Sequence, residues 1–161
     1  MGGVLGDREM GFGEAIRVCF SKYADFRGRA RRSEYWYFVL FCAIIRFVGI
    51  FLGPLSIILG LALLLPQLAV AVRRFHDTGR SGWWILGFYG YLFAAVILFL
   101  AAFGMTARPQ FDGTSGILVA VLGLGGLAYV IWLFALTLLD GTNGPNEYGP
   151  DPKGPDVEVF T

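Results

Sequence analysis

Charge is what this chain has least of. Only 16% of its 161 residues are charged, against 56% hydrophobic, where a soluble domain carries about 25% charged residues. There is one histidine, His76, and there are two cysteines, Cys19 and Cys42. The cysteines fall ahead of and within the first apolar run, which gives neither a metal-ligand spacing nor a disulfide framework. We read each as a small buried thiol, and expect no metal site and no cofactor. The first 33 residues are too charged for a secretory signal peptide, so the first apolar run reads as an uncleaved anchor.

The apolar residues fall in four long runs, about 35–52, 55–72, 83–103 and 117–139. About 20 apolar residues make one crossing of a bilayer, and four crossings leave no room for a separate soluble domain. The expected fold is therefore all-α and integral to the membrane, a single domain over 12–152 built as a four-helix transmembrane bundle. Residues 1–11 and 153–161 read as flexible ends. Ahead of the first span, Phe12, Ile16, Cys19, Phe20, Tyr23 and Phe26 recur at helical spacing, with Glu14, Arg17, Lys22 and Asp25 opposite. This predicts an amphipathic helix over 12–26, either lying in the membrane interface or packed on the other helices.

Breakers mark the turns. Gly53-Pro54 makes a tight reversal between the first two spans. Pro66 inside the second span removes a helix hydrogen bond, which frees the carbonyl of Ala62 and predicts a kink. Gly49 and Gly53, with Ser56 and Gly60 on the next span, give a small-residue pattern that predicts close packing of the first two helices.

The few charges are concentrated. Residues 1–33 hold seven Lys or Arg against four acids, the stretch 73–82 three against one, and the tail from Asp140 one against five. By the positive-inside rule the two basic segments face the cytoplasm, and four spans return the acidic tail to that side. Trp36, Trp83 and Trp84 then fall at the cytoplasmic boundary, where indoles are favoured.

Three blocks carry the rest of the information: Tyr23–Trp36, Arg73–Trp84 and Gly141–Pro152. Together they resemble the bacterial inner-membrane proteins of the domain of unknown function 805 family, over Tyr23–Pro152. The resemblance implies a bacterial plasma-membrane protein of several helices, with no assigned activity. The chain departs from it at Glu147, where the family often has a basic residue. It also has an added polar loop around Arg108–Gly116, so the helix count is taken from this sequence alone.

The blocks also hold the candidate site residues. Arg27, Arg29, Arg31, Arg32, Arg73, Arg74 and Arg80 would share one face. Guanidinium rather than ammonium at all seven positions suits bidentate phosphate, although basic residues at span ends also simply set topology. His76 is a weak candidate base. Asp77 beside it would pair with Arg73 if the helix continues that far, and with Arg80 if it does not. Asp140, Asn143, Asn146, Glu147 and Asp151 offer oxygen ligands without calcium-loop spacing, and we expect them to fold back on the basic face instead. Arg46 and Gln67 are the polar residues well inside spans. With no acid in any span, Arg46 is expected to snorkel outward or to meet a carbonyl.

The reading that follows is a non-enzymatic multi-pass membrane protein whose arginine-rich cytoplasmic face meets anionic lipid or a partner protein, with homo-oligomers possible and no nucleic-acid partner. The second reading is a small transporter or channel subunit using Arg46 and Gln67. The third is an enzyme acting on a phosphorylated lipid, with His76 as base.

The topology makes a direct prediction. In a chain lacking its native cysteines, a cysteine at position 115 should react with an impermeant thiol reagent in intact cells and one at position 79 should not. The opposite pattern reverses the orientation.

Overall fold

A computed structural model of the chain describes residues 10–103 and 113–154. The expected flexible ends lie mostly outside these residues, as does most of the polar loop after the third span. The described residues form five α-helices: α1 (Phe12–Ser21), α2 (Arg32–Gly49), α3 (Leu55–Asp77), α4 (Trp83–Phe103) and α5 (Gly113–Leu138). Helices α2 to α5 are each long and apolar enough to cross a membrane. The chain divides into two compact units, residues 1–82 with 137–161, and residues 83–136.

In the first unit, α1 is shorter than the 12–26 predicted. Its apolar stripe packs on α2. Ala15 and Cys19 are buried, Phe12 meets the ring of Tyr37 edge-on, and Phe20 meets those of Phe38 and Phe41. Below Ser21 the chain leaves the helix, and Tyr23 donates its hydroxyl to the carbonyl of Ala62 at 2.5 Å. That is the carbonyl which Pro66 leaves without its helical partner, so the proline creates the acceptor that holds the end of α1.

Helix α2 begins three residues earlier than the apolar run. Glu34 in its first turn suits the positive end of the helix dipole. A 3₁₀ turn over Ile50–Leu52 leads to Gly53, whose φ of +55° a residue with a Cβ rarely adopts. Pro54 caps α3, and the Ser56 hydroxyl closes the reversal on the Gly53 carbonyl at 2.6 Å.

Helix α3 runs five residues past the predicted 72. Most of the expected central loop is its last turn, and only Thr78–Gly82 connects to α4. The charges that marked residues 73–77 as a loop are paired inside the protein, so nothing forces the helix to stop before them. It stops where the backbone demands it. Gly79 takes φ +69°, its amide bonds the His76 carbonyl (3.0 Å) and the Arg80 amide bonds the Phe75 carbonyl (2.9 Å). These two bonds and the left-handed glycine make a Schellman termination.

The distribution of exposure is the reverse of a water-soluble protein's. Ile50, Phe51, Ile57, Ile58 and Leu61 at the hairpin end are more than half exposed, while Arg73 and Arg74 are among the largest fully buried side chains. Large exposed apolar surfaces and buried charge are each rare in water; hydrocarbon solvent around the hairpin accounts for the first.

In the second unit, aromatic side chains bridge α4 and α5. The Tyr129 hydroxyl donates to the Trp84 carbonyl at 2.9 Å, and that of Tyr91 to the Leu122 carbonyl. Trp132 meets Trp84 edge-on and stacks on Tyr129. A hydroxyl inside a span needs such an acceptor, and Gly125 and Gly126 leave room for the Tyr91 ring.

The small-residue pattern resolves into one contact. A Cβ on Gly49 would lie 3.4 Å from the Ser56 Cβ, whereas one on Gly60 would meet nothing within 4 Å. Gly60 is thus not part of the expected close approach. Gly49→Ile should lower stability in detergent by about 1–3 kcal/mol through overpacking. Gly49→Ala, at van der Waals distance, and Gly60→Ile, facing open space, should leave thermal unfolding close to wild type.

Candidate functional site

Three stretches far apart in sequence meet at one end of the first unit: residues 27–34, the last turn of α3, and residues 137–154. They are held by charge that the structure buries. Arg29, Glu34, Arg73, Arg74 and Asp77 are none of them more than 7% exposed. An isolated buried charge costs several kcal/mol in lost hydration, so the partners decide whether this arrangement is tenable.

Asp77 is the centre. Its Oδ1 accepts from Arg29 Nε and Nη2, each at 2.9 Å, and its Oδ2 accepts from Arg74 Nη1 one turn earlier on α3. One carboxylate thus serves two guanidinium groups. Their remaining donors go to backbone carbonyls. Arg29 Nη1 reaches Gly144 and Nη2 reaches Thr142, each at 2.5 Å. Arg74 reaches Ala30, Thr137 and Leu139. The Asp77 carbonyl accepts the Thr142 amide at 2.8 Å. Five donors in a planar fork are what allow one arginine to gather several chain segments.

A second pair lies toward α1. Arg73 Nη2 donates to Glu34 Oε1 at 2.9 Å, and the Cys19 thiol approaches the same oxygen at 3.9 Å. Burial, with the charge of Glu34 beside it, pushes the Cys19 thiol up to about 12. It therefore stays protonated and unreactive at neutral pH. Arg73 Nε and Nη1 are buried without a hydrogen-bond partner among the described residues, which makes Glu34 the sole counter-charge of this guanidinium.

The seven candidate arginines therefore separate. Arg29, Arg73 and Arg74 are interior braces. Arg31 is half-buried and bonds the Pro152 carbonyl at 2.5 Å. Arg27, Arg32 and Arg80 are exposed; Arg32 makes an open ion pair with Asp140 at 3.1 Å, which Lys153 flanks at 3.8 Å. The expected partners of Asp77 are corrected accordingly. The helix does continue through Asp77, yet Arg73 points to Glu34 on α2, and Arg74, one residue on, together with Arg29 takes the carboxylate.

His76 is held as a structural plane. Its Nδ1 faces the Gly28 carbonyl at 3.2 Å, which can only accept, so Nδ1 carries the proton. The ring stacks on Tyr148 at 4.0 Å and 6°, and Asn146 donates to the His76 carbonyl at 2.9 Å. The Thr78 hydroxyl is turned to the Phe75 carbonyl. Part of the tail is also committed: Asp140 pairs with Arg32, and Asn146 Oδ1 accepts the Tyr148 amide at 2.9 Å. Asp151 accepts the amides of Lys153 and Gly144, each at 2.9 Å. The Lys153 amide, then that of Gly144 and the charge of Arg29, hold its carboxyl below the usual range. Among the described residues no three His, Cys, Asp or Glu side chains converge as a metal site.

Of the two settings expected for Arg46, the structure has a carbonyl contact, to a side chain: Nη2 donates to the amide oxygen Oε1 of Gln67 at 2.7 Å. Tyr148, Thr142 and Gly141 were not singled out from sequence, although all three stand in the third block. A Cβ on Gly141 would overlap the Asp77 carboxylate, which two arginines prevent from moving aside.

These contacts predict unequal costs. Asp77→Asn, which strands two buried guanidinium groups, should destabilise by about 3–5 kcal/mol, and Gly141→Ala by about 1–3 kcal/mol. Arg32→Ala, at an exposed pair, should cost about 0–1 kcal/mol. Chemical unfolding in a mild detergent measures all three; equal effects would refute the division into braces and surface charges.

The comparisons with known proteins cover the same segments. The pattern of the family described as "Protein of unknown function (DUF805)" matches residues 23–150, from the tyrosine that holds α1 to the end of the loop that Arg29 gathers. The Escherichia coli K12 inner membrane protein YhaI is 34% identical over 144 residues, covering 81% of this chain and 88% of the relative. The inner membrane protein YhaH of the same strain is 35% identical over 143 residues, covering 81% and 89%. The uncharacterized protein YiiR is 28% identical over 143 residues, covering 79% and 85%. No solved structure matches. With four membrane-capable helices and relatives that are inner membrane proteins, this multi-pass chain belongs to the DUF805 family.

Proposed function

We propose that the protein is a non-enzymatic membrane protein whose charged end faces the cytoplasm and binds anionic phosphate headgroups. The observation that carries this reading is the separation of the arginines. The acids that sequence proximity would assign to the whole basic face, Asp77 and Glu34, are spent on the three buried guanidinium groups. Arg27, Arg32 and Arg80 stay exposed at the same end. Over residues 22–34, 73–80 and 140–154 there are nine basic against six acidic side chains, so this end remains net positive.

The neighbours suit a headgroup. Arg32 opens α2, and Arg80 stands three residues before Trp83, which is 76% exposed. Indoles favour the depth at which phosphates lie. Helix α1 keeps Arg17 exposed opposite its buried Ala15 and Cys19, and Lys22, just past its end, is exposed as well; we read the helix as lying at headgroup level while it packs on α2. The braces hold the exposed arginines on a fixed base, which lowers the entropy lost when a phosphate is gripped by a fork.

Retention of phosphatidylglycerol over phosphatidylcholine, counted by native mass spectrometry, tests the reading. A generic surface charge contributes about 1 kcal/mol to anionic-lipid attraction, or roughly fivefold. Arg27→Ala and Arg80→Ala should each exceed that, and Arg→Lys at either position should not restore retention. Arg17→Ala should show only the generic loss. If Lys substitutes freely, or all three alanine variants fall equally, the arginines set topology and no specific headgroup site exists.

A further inference from the structure

The pair formed by Arg46 and Gln67 is unexplained by the charged end. Gln67 lies twelve residues from Leu55 and ten from Asp77, near the middle of α3, about 18 Å and 15 Å from its two ends. Arg46 is exposed, and one bond, from Nη2 to Gln67 Oε1, is its only hydrogen bond among the described residues. The acids near the span ends, Glu34 and Asp77, are bonded to Arg73, Arg29 and Arg74. A guanidinium so placed in hydrocarbon is a functional residue by default.

The chemistry of the pair is one-sided. A guanidinium has donors only, so the glutamine must turn its carbonyl oxygen to it. With that oxygen turned to the guanidinium, what Arg46 and Gln67 hold in excess for a third molecule is N–H. The surroundings are apolar: Ile50, one turn from Arg46, and Leu64, one turn from Gln67, are both exposed. Two turns from Gln67 on the same side of α3 stands Gly60, with open space where a side chain would be.

We propose that Arg46 and Gln67 bind an acceptor oxygen, carbonyl or carboxylate, carried on a membrane-soluble molecule whose chain lies along α3 past Gly60. A phospholipid phosphate does not fit, because a hydrocarbon core of about 30 Å puts phosphates beyond reach of mid-span. A fatty acid and a lipid-soluble quinone both carry the required oxygen. This goes beyond the headgroup reading and uses none of its residues.

The full chain in phosphatidylcholine nanodiscs, titrated separately with oleate and with decylubiquinone, tests the proposal and tells the two sources apart. At least one probe should bind saturably, at least tenfold more weakly to Arg46→Met. Gln67→Glu gives Arg46 a carboxylate of its own and removes the amide donor. It should keep wild-type thermal stability and also lose at least tenfold in binding. Gly60→Ile should weaken binding without loss of stability. Adding phosphatidylglycerol should not compete. The proposal fails if neither probe saturates, if Gln67→Glu binds as wild type does, or if a cross-linker at position 46 joins two chains in the absence of probe, since a second copy would then cover the pair.

Discussion

The carboxylate of Asp77 is the interaction on which the first unit depends. It is buried with two guanidinium groups on it, one from its own helix and one from a segment 48 residues earlier. Neither arginine can be buried there alone, because the loss of hydration exceeds what neutral carbonyls return. The segments must therefore arrive together. Residues 27–34, the end of α3 and the chain after α5 share one end of the unit because their charges have no other low-energy place. Backbone carbonyls from residues 30 and 137–144 complete the shell, so the end of α3 is bound to these segments through arginine side chains. This suits a lipid setting, where apolar surface gains little by meeting other apolar surface.

The same logic explains the less charged parts of the molecule. Where no water reaches, every polar group must find a protein partner or be absent. The carbonyl freed by Pro66 takes the Tyr23 hydroxyl, and Tyr91 and Tyr129 find carbonyls across α4 and α5. Arg46 takes Gln67. Each contact joins two segments, so the polar minority in an apolar chain helps to fix which are neighbours, beside the apolar packing of Phe20 on Phe38 and Phe41.

How much of this was legible follows from the kind of information each feature needs. The four spans are visible because a bilayer tests local composition, and composition is what a sequence displays. The hairpin at Gly53 and the freed carbonyl at Ala62 are also local facts, the one from Gly-Pro and the other from Pro66. The extent of α3 was not visible. Arg73, Arg74 and Asp77 look like surface residues until Glu34 and Arg29 are brought to them, and no window on the sequence contains both sides of those pairs. Gly49 and Gly60 were indistinguishable as letters in a small-residue pattern. They differ because Ser56 faces the first and nothing faces the second, which depends on the rotation of each helix about its axis. For the same reason the partner of Arg46 could not be named from sequence: its depth can be counted, but the direction of its side chain toward Gln67 cannot.

The separation of the arginines carries a more general point about reading basic clusters. Four of six residues between 27 and 32 are arginine, and the sequence offers no reason to treat them differently. In the structure Arg29 is an internal strut, Arg31 a clasp on the Pro152 carbonyl, Arg32 an open ion pair and Arg27 an exposed charge. The local backbone separates them: Gly28, at φ +78°, turns the chain between Arg27 and Arg29, and Arg32 already stands in the first turn of α2. The buried members require the fork geometry for structural reasons that involve no ligand. Arginine in preference to lysine is thus explained at residues 29 and 74 by the carbonyls they gather, and it argues for phosphate only at positions where the guanidinium still faces outward.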